Sequence, residues 1–118
     1  SDLGNPLGAA AGLATLDVIE DENLVANAEA RGEQLRDGIM ATGNPLFVSV
    51  RGRGLLDAVE LKHPCSHAVM NYCLEHGLIV NAVAPNALRF APPLIVTEQD
   101  VDQALAILKD VPTDLPDD

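Results

Sequence analysis

The segment Leu88-Arg89-Phe90-Ala91-Pro92-Pro93-Leu94-Ile95-Val96 places one arginine inside an otherwise apolar run. Residues 87–91 are predicted to form a β-strand, and Pro92-Pro93 ends its regular pairing because proline has no N–H to donate to a neighbouring strand. Residues 78–81 are predicted to form a short strand before it. Ala84-Pro85-Asn86 is the predicted turn between the two strands, so this part of the chain indicates an antiparallel pair.

Arg89 is the candidate functional residue of this segment. A guanidinium keeps its charge in proteins, and burying it without a partner costs several kcal/mol. No acidic residue lies within eight positions of Arg89 on either side. Three interpretations stay open from the residues alone. The side chain pairs with a distant carboxylate of its own fold, binds the carboxylate of a ligand through its planar fork, or reaches solvent from an ordinary strand.

The rest of the chain alternates between helix and strand patterns. Helices are predicted at residues 6–20, 24–41, 66–76 and 98–109, and further strands at residues 46–51 and 55–61. Ser66 and Thr97 are predicted helix caps, and Asp100 completes a capping box with Thr97. This order predicts an α+β fold, in which a small and mostly antiparallel sheet is backed on one face by helices.

Length, composition and charge limit the classes of function. At 118 residues and 47% hydrophobic, residues 1–111 are expected to form one domain, and the acidic, proline-rich residues 112–118 are expected to be disordered. The formal net charge of −11 argues against nucleic acids and anionic membranes as partners. No apolar run approaches the roughly 20 residues of a membrane helix, and no signal peptide is recognisable, so a cytoplasmic location is expected.

Two further patterns are interpreted as structural. Residues 51–54, Arg-Gly-Arg-Gly, are predicted to form a hairpin or bulge with two exposed arginines, since a dinucleotide loop needs a third glycine and a following helix. The charged residues of the predicted helix 24–41 are expected to form a solvated face. These residues are Glu29, Arg31, Glu33, Arg36 and Asp37.

The cysteines and histidines between residues 63 and 76 raise the question of a metal site. Cys65 and Cys73 lie near His63, His67 and His76. On a helix over residues 66–76, about 100° per residue turns His67 away from the face that Cys73 and His76 share. One tetrahedral site would not collect all these side chains, so we expect no metal, and we expect both cysteines to be reduced thiols.

Several stretches together resemble one protein family. Gly4-Asn5-Pro6-Leu7 opens a helix rich in small residues, and Val50-Arg51-Gly52-Arg53-Gly54-Leu55 follows it. Gly77-Leu78-Ile79-Val80-Asn81-Ala82 then precedes Leu88–Leu94, and an amphipathic helix closes the chain. In this order and spacing, residues 4–109 resemble the C-terminal part of class III pyridoxal-phosphate aminotransferases. Within that family, the Val80-Asn81-Ala82 segment is most similar to acetylornithine aminotransferases, and Arg89–Leu94 is also similar to ornithine aminotransferases.

The resemblance implies a fold-type I enzyme in which this small C-terminal domain closes an active site held by a larger domain. It implies that Arg89 binds a substrate carboxylate, either of the amino donor or of 2-oxoglutarate. It also implies pyridoxal 5′-phosphate as cofactor, N-acetylornithine, 2-oxoglutarate and glutamate as substrates, and a homodimer as the assembly. The predicted helix 6–20 would then be an interdomain helix.

This sequence also departs from the family pattern. The Schiff-base lysine and the cofactor's other contacts belong upstream in the family, and Lys62 and Lys109 match neither the position nor the surroundings of that lysine. Ser1-Asp2-Leu3 stands where the family has Thr-Phe-Gly. We therefore expect the chain to be part of a longer enzyme, to be inactive alone and to bind no cofactor. Ornithine aminotransferase and a free-standing regulatory module that binds a carboxylate or amino acid remain the alternatives.

Overall fold

The structure, a computed structural model, describes residues 22–118. It contains three helices and four strands in the order α1, β1, β2, α2, β3, β4, α3. Their bounds are α1 Glu22–Ala41, β1 Phe47–Arg53, β2 Leu56–Leu61, α2 Ser66–Glu75, β3 Asn81–Ala84, β4 Ala87–Phe90 and α3 Glu98–Lys109. The predicted α+β class is confirmed. The predicted helix 6–20 lies outside the described residues.

The four strands form one antiparallel sheet in the order β1-β2-β4-β3. One face is buried under the helices, with Val59, Leu61, Leu88 and Phe90 in the core. The helices pack there because their apolar residues, such as Ile39 and Leu108, repeat at helical spacing on one side. The opposite face, which we call the open face, alternates with the buried one along β2 and β4 and carries Ala58, Glu60 and Arg89.

The segment after β4 is held against α1 by backbone carbonyls. Asn27 Nδ2 of α1 donates to the carbonyl oxygens of Leu94 and Val96, at 3.2 and 2.9 Å. Thr97 then begins α3 with the predicted capping box, in which Thr97 Oγ1 accepts from the Asp100 N–H and Asp100 Oδ2 accepts from the Thr97 N–H. The proline segment therefore leads from β4 to α3 along a fixed path.

Two local predictions were wrong, and the bounds of the first two strands differ from the predicted ones by at most two residues. The strand predicted at residues 78–81 lies at Asn81–Ala84, because the Leu78 N–H is engaged with the Cys73 carbonyl at the end of α2. The first two strands are also displaced, to Phe47–Arg53 and Leu56–Leu61, since Gly54 makes their turn with φ +57°. Ser66 is not the cap of α2, because it is the first helical residue and Cys65 precedes it without a side-chain cap.

The C-terminal residues replace that missing cap, contrary to the disorder expected for residues 112–118. Asp118 Oδ1 accepts from the His67 N–H at 3.0 Å, and Oδ2 accepts from Ser66 Oγ at the same distance. His63 Nδ1 lies 2.7 Å from Asp117 Oδ1. Composition favoured disorder, but carboxylates at a helix N-terminus are stabilised by its free N–H groups.

A buried ion pair joins α1 to β2. Arg36 Nη1 donates to Asp57 Oδ1 and to the Gly54 carbonyl oxygen, both at 2.8 Å. The Asp57 side chain is fully buried, and its Oδ2 has no hydrogen-bond partner. A Cβ at Gly52, which faces Asp57 in the register, would overlap Asp57 Oδ1 and the Leu56 carbonyl oxygen. Arg36 is thus half-buried and engaged, which corrects the prediction that it belongs to a solvated face.

Replacing Arg36 is expected to destabilise the fold in a pH-dependent way. Burial raises the pKa of Asp57, and the hydrogen bond and charge of Arg36 oppose that rise. Arg36→Met leaves the carboxylate buried and unpaired, which costs about 2–4 kcal/mol of unfolding free energy at neutral pH. Because a raised folded-state pKa means that the folded state binds the extra proton, the loss shrinks as pH falls.

Urea unfolding at about pH 7.5 and about pH 5 measures this loss, and Glu33→Gln, an exposed change on the same helix, is the matched control. An Arg36→Met loss equal to that of the control at both pH values would contradict the assignment of a stabilising pair.

The contacts that hold residues 112–118, the tail, against the start of α2 are expected to be stable only over a limited pH range. The hydrogen bond to Asp117, with that to the Thr113 carbonyl, raises the pKa of His63, and the hydrogen bond with His67 lowers the pKa of Asp118. The His63 contribution is complete below its ordinary pKa of 6.5 and is lost as pH rises through the higher folded-state pKa. The Asp118 contribution is complete above 3.8 and is lost as pH falls through the lower folded-state pKa.

The Asp118 N–H donates to the Pro64 carbonyl oxygen at 2.7 Å. Hydrogen exchange of this amide is therefore expected to be slowest at an intermediate pH, after correction for intrinsic rates. Asp117→Asn should remove the loss of protection at high pH and keep the loss at low pH. Protection that does not change with pH in the unmodified chain would refute this account.

Candidate functional site

Arg89 lies on the open face, between two core residues. Its neighbours Leu88 and Phe90 are buried, whereas Arg89 is exposed. Within residues 22–118 its guanidinium makes no ion pair and no hydrogen bond. Of the three interpretations drawn from the sequence, an internal partner is therefore excluded for this part of the chain. Exposure to solvent and the binding of a carboxylate from outside residues 22–118 both fit the observed position.

The pairing register places Arg89 in a row across the sheet. Arg89 of β4 pairs with Ala58 of β2 and with Asn81 of β3, and Ala58 also pairs with Arg51 of β1. Directly paired residues of antiparallel strands share a face, so all four belong to the open face. Arg51 is exposed, as predicted, and it too has no ion pair or hydrogen bond to any described residue.

One carboxylate shares this face with the arginines. Glu60, two residues along β2 from Ala58, accepts a hydrogen bond from Ser49 Oγ at 3.0 Å. It forms no ion pair with Arg51 or Arg89, to judge from the part of the chain that is described. The open face therefore presents three guanidinium groups without an ion pair among the described residues. Arg51 and Arg89 lie on either side of the small side chain of Ala58, and Arg53 lies at the end of β1, an arrangement suited to binding carboxylates.

The thiols and histidines do not form a second reactive centre. Cys65 and Cys73 are free and buried, and burial raises the pKa of both, that of Cys73 to about 11. Protonated thiols are poor nucleophiles and poor metal ligands. Among residues 22–118 no group of three histidine, cysteine or acidic side chains could hold a metal ion. His63 and His67 contact the tail, and His76 stacks on Tyr72.

Two cavities of the described residues are lined by side chains other than Arg89. A groove of about 510 Å³ on the helix side is largely apolar and is lined by residues such as Phe90, Pro93, Val101 and Ile107. A shallower one of about 410 Å³ lies beside Leu24, Asn27 and Arg31. Arg89 lines neither of them. A carboxylate at Arg89 would therefore sit on an open surface, unless walls are supplied from outside residues 22–118.

The described residues do not fit the cofactor that the resemblance implies. Lys62 and Lys109, the two lysines of the chain, are exposed, and neither lines either cavity. An imine-forming lysine needs a partly desolvated pocket that lowers its pKa. We therefore derive no step of chemistry through pyridoxal phosphate from this part of the chain. No helix in residues 22–118 has the length and apolar character needed to span a bilayer.

The sequence identified Arg89 as a candidate, but two contacts between distant residues were not predicted. The pairing of Arg36 with Asp57 was missed because 21 positions separate them, and neither sits in a recognisable motif. The alignment of Arg51 with Arg89 depends on the register of two strand pairs, which no local pattern specifies. The one available signal was Asp57 itself, an acid within the apolar alternation of residues 55–61.

Comparisons with known proteins agree with these observations. The family described as "Aminotransferase class-III" matches residues 3–111. Acetylornithine aminotransferase of Bifidobacterium longum is 99% identical over 115 residues, which are 98% of this chain and 27% of that protein. Ornithine aminotransferase of Emericella nidulans is 37% identical over 118 residues, 96% of this chain and 26% of that protein.

Solved structures give the same result. The crystal structure of N-acetylornithine aminotransferase from Stenotrophomonas maltophilia superposes with a TM-score of 0.76 at 31% identity, covering 90% of this chain and 30% of that one. The chain thus spans about a quarter of the length of the curated relatives it matches. The predicted resemblance is confirmed, and this chain belongs to the class III aminotransferase family.

Proposed function

We propose that this chain is the C-terminal, substrate-binding part of an acetylornithine aminotransferase dependent on pyridoxal phosphate. The whole enzyme would move the δ-amino group of N-acetylornithine to 2-oxoglutarate, reversibly, in arginine biosynthesis. The proposal is supported by the 99% identity to a protein of that name and by the family match over residues 3–111. The observation that carries it is Arg89, an exposed guanidinium with no partner in residues 22–118.

Arg89 would act by binding and orienting. Its planar fork accepts a carboxylate in two parallel hydrogen bonds, which fixes the direction of the substrate's carbon chain as well as its position. The supply of an electron sink for amino transfer belongs to the cofactor, held by residues outside this part of the chain. The partners in this proposal are a large domain of the same polypeptide and a second copy of the enzyme, in the cytoplasm.

The proposed function is tested on the native polypeptide that contains this sequence. Its intact mass should correspond to a chain about four times longer, and the purified enzyme should form glutamate from 2-oxoglutarate with N-acetylornithine as donor. Ornithine should be the poorer donor. A higher kcat/KM with ornithine would favour ornithine aminotransferase instead, the alternative supported by the Emericella relative.

The alternative hypothesis, a stand-alone module that uses Arg89 to bind a carboxylate, predicts a different result. A native product near 12.4 kDa that binds glutamate by itself in calorimetry would favour the module over the enzyme. The part of an enzyme that we propose should give no heat in that titration, since neither cavity in residues 22–118 encloses Arg89.

Arg89→Ala in the full-length enzyme is expected to raise KM for the carboxylate substrate or to lower kcat/KM by about 10–1,000-fold, as for the loss of about 1.5–4 kcal/mol of bidentate, charged contact. Arg89→Lys should recover only part of this activity, because an ammonium lacks the planar fork. Lys62→Ala, which removes another exposed cation, serves as the matched control. If the Arg89→Ala enzyme showed unchanged kinetics with both substrates, Arg89 would not be the residue that binds the substrate carboxylate.

A further inference from the structure

We propose that Arg51 makes the open face selective for doubly charged substrates, acting beside Arg89 as a specificity-determining cation. This inference rests on the proposed function and extends it to the choice between the two substrates. 2-Oxoglutarate carries two carboxylates and no cationic group. N-acetylornithine carries one carboxylate and one ammonium, so its net charge is close to zero at neutral pH.

The position of Arg51 follows from the strand register. Arg51 and Arg89 both pair with Ala58, from opposite sides of β2. Neighbouring strands lie about 4.8 Å apart, so the Cα atoms of the two arginines are about 10 Å apart. That separation exceeds the Debye length of about 8 Å at physiological ionic strength but is well within the length of about 30 Å at 0.01 M salt, and the side chains shorten the distance to a ligand at Arg89. Arg51 is therefore close enough to act on the charge of such a ligand.

Arg51 has no ion-pair partner among the described residues. Its guanidinium has no ion pair or hydrogen bond within residues 22–118, whereas Arg36 pairs with Asp57 and Arg31 lies 3.9 Å from Glu98. Glu60, the carboxylate on the same face, accepts a hydrogen bond from Ser49 and forms no ion pair with Arg51. Ala58 between the two arginines is too small to block the space above the sheet.

The negative net charge of the chain increases the importance of positive charge at the binding position. The formal net charge is −11, so at long range the surface repels a dianion more than it repels a zwitterion. Two guanidinium groups, one on each side of Ala58, place positive charge where the carboxylate would bind. Arg89 attracts any carboxylate, but the additional charge of Arg51 favours the substrate with two negative charges over the one whose ammonium cancels its carboxylate.

The test measures the two half-reactions of the full-length, cofactor-loaded enzyme separately in single turnovers. Arg51→Ala should lower kcat/KM for 2-oxoglutarate about 3- to 10-fold at low ionic strength, with less than a twofold change for N-acetylornithine. The difference from the unmodified enzyme should fade in about 1 M salt, where the Debye length is about 3 Å. Lys109→Ala, which removes a cation at the end of α3, should change neither half-reaction.

Arg51→Lys separates a role of charge from a role in folding or in a specific contact. It keeps the charge and should retain the kcat/KM for 2-oxoglutarate, which also covers the case in which Arg51→Ala fails to fold. Equal losses in both half-reactions would overturn the inference, since they would indicate a structural contact with the rest of the protein. A salt-independent loss, or no loss, would also overturn it. An unmodified enzyme without transaminase activity would instead refute the proposed function.

Discussion

The contact between Arg36 and Asp57 connects the helical layer to the strand on which the sheet depends. β2 is an inner strand, paired with β1 on one side and β4 on the other. Asp57 anchors it from the buried face, and the same guanidinium nitrogen binds the carbonyl of Gly54 in the turn that leads into it. Because a one-residue slip would exchange the two faces of a strand, this anchor also determines which residues reach the open face.

Charged side chains are stabilised differently on the two faces of the sheet. On the buried face the single carboxylate is neutralised by a half-buried arginine, and the glycine at position 52 leaves room for it. On the open face, Arg51 and Arg89 are hydrated and keep their charge without a partner in residues 22–118. Water provides the solvation there, so the fold pays no desolvation cost until a ligand or another surface covers these side chains.

The sequence allowed the fold class and α3 to be predicted because the signals are local. Thr97, Asp100 and the apolar spacing of Val101 and Leu108 specify the helix without reference to the rest of the chain. Arg89 could be identified for a similar reason, since an arginine in an apolar run is unusual by itself. The predictions that were wrong concern features that are set by contacts between residues distant in sequence. The start of β3 is set by how α2 ends, and the engagement of Arg36 is set by an acid in another element.

The capping of α2 by Asp118 has a consequence for synthesis on the ribosome. The free N–H of His67 and the hydroxyl of Ser66 receive their acceptor from a residue about fifty positions later in the chain. At the usual elongation rate of about 5–20 residues per second, that residue is added roughly 3–10 s after the helix itself. During this interval the first turn of α2 is expected to fray, so the nascent chain completes this helix only after residue 118 has emerged.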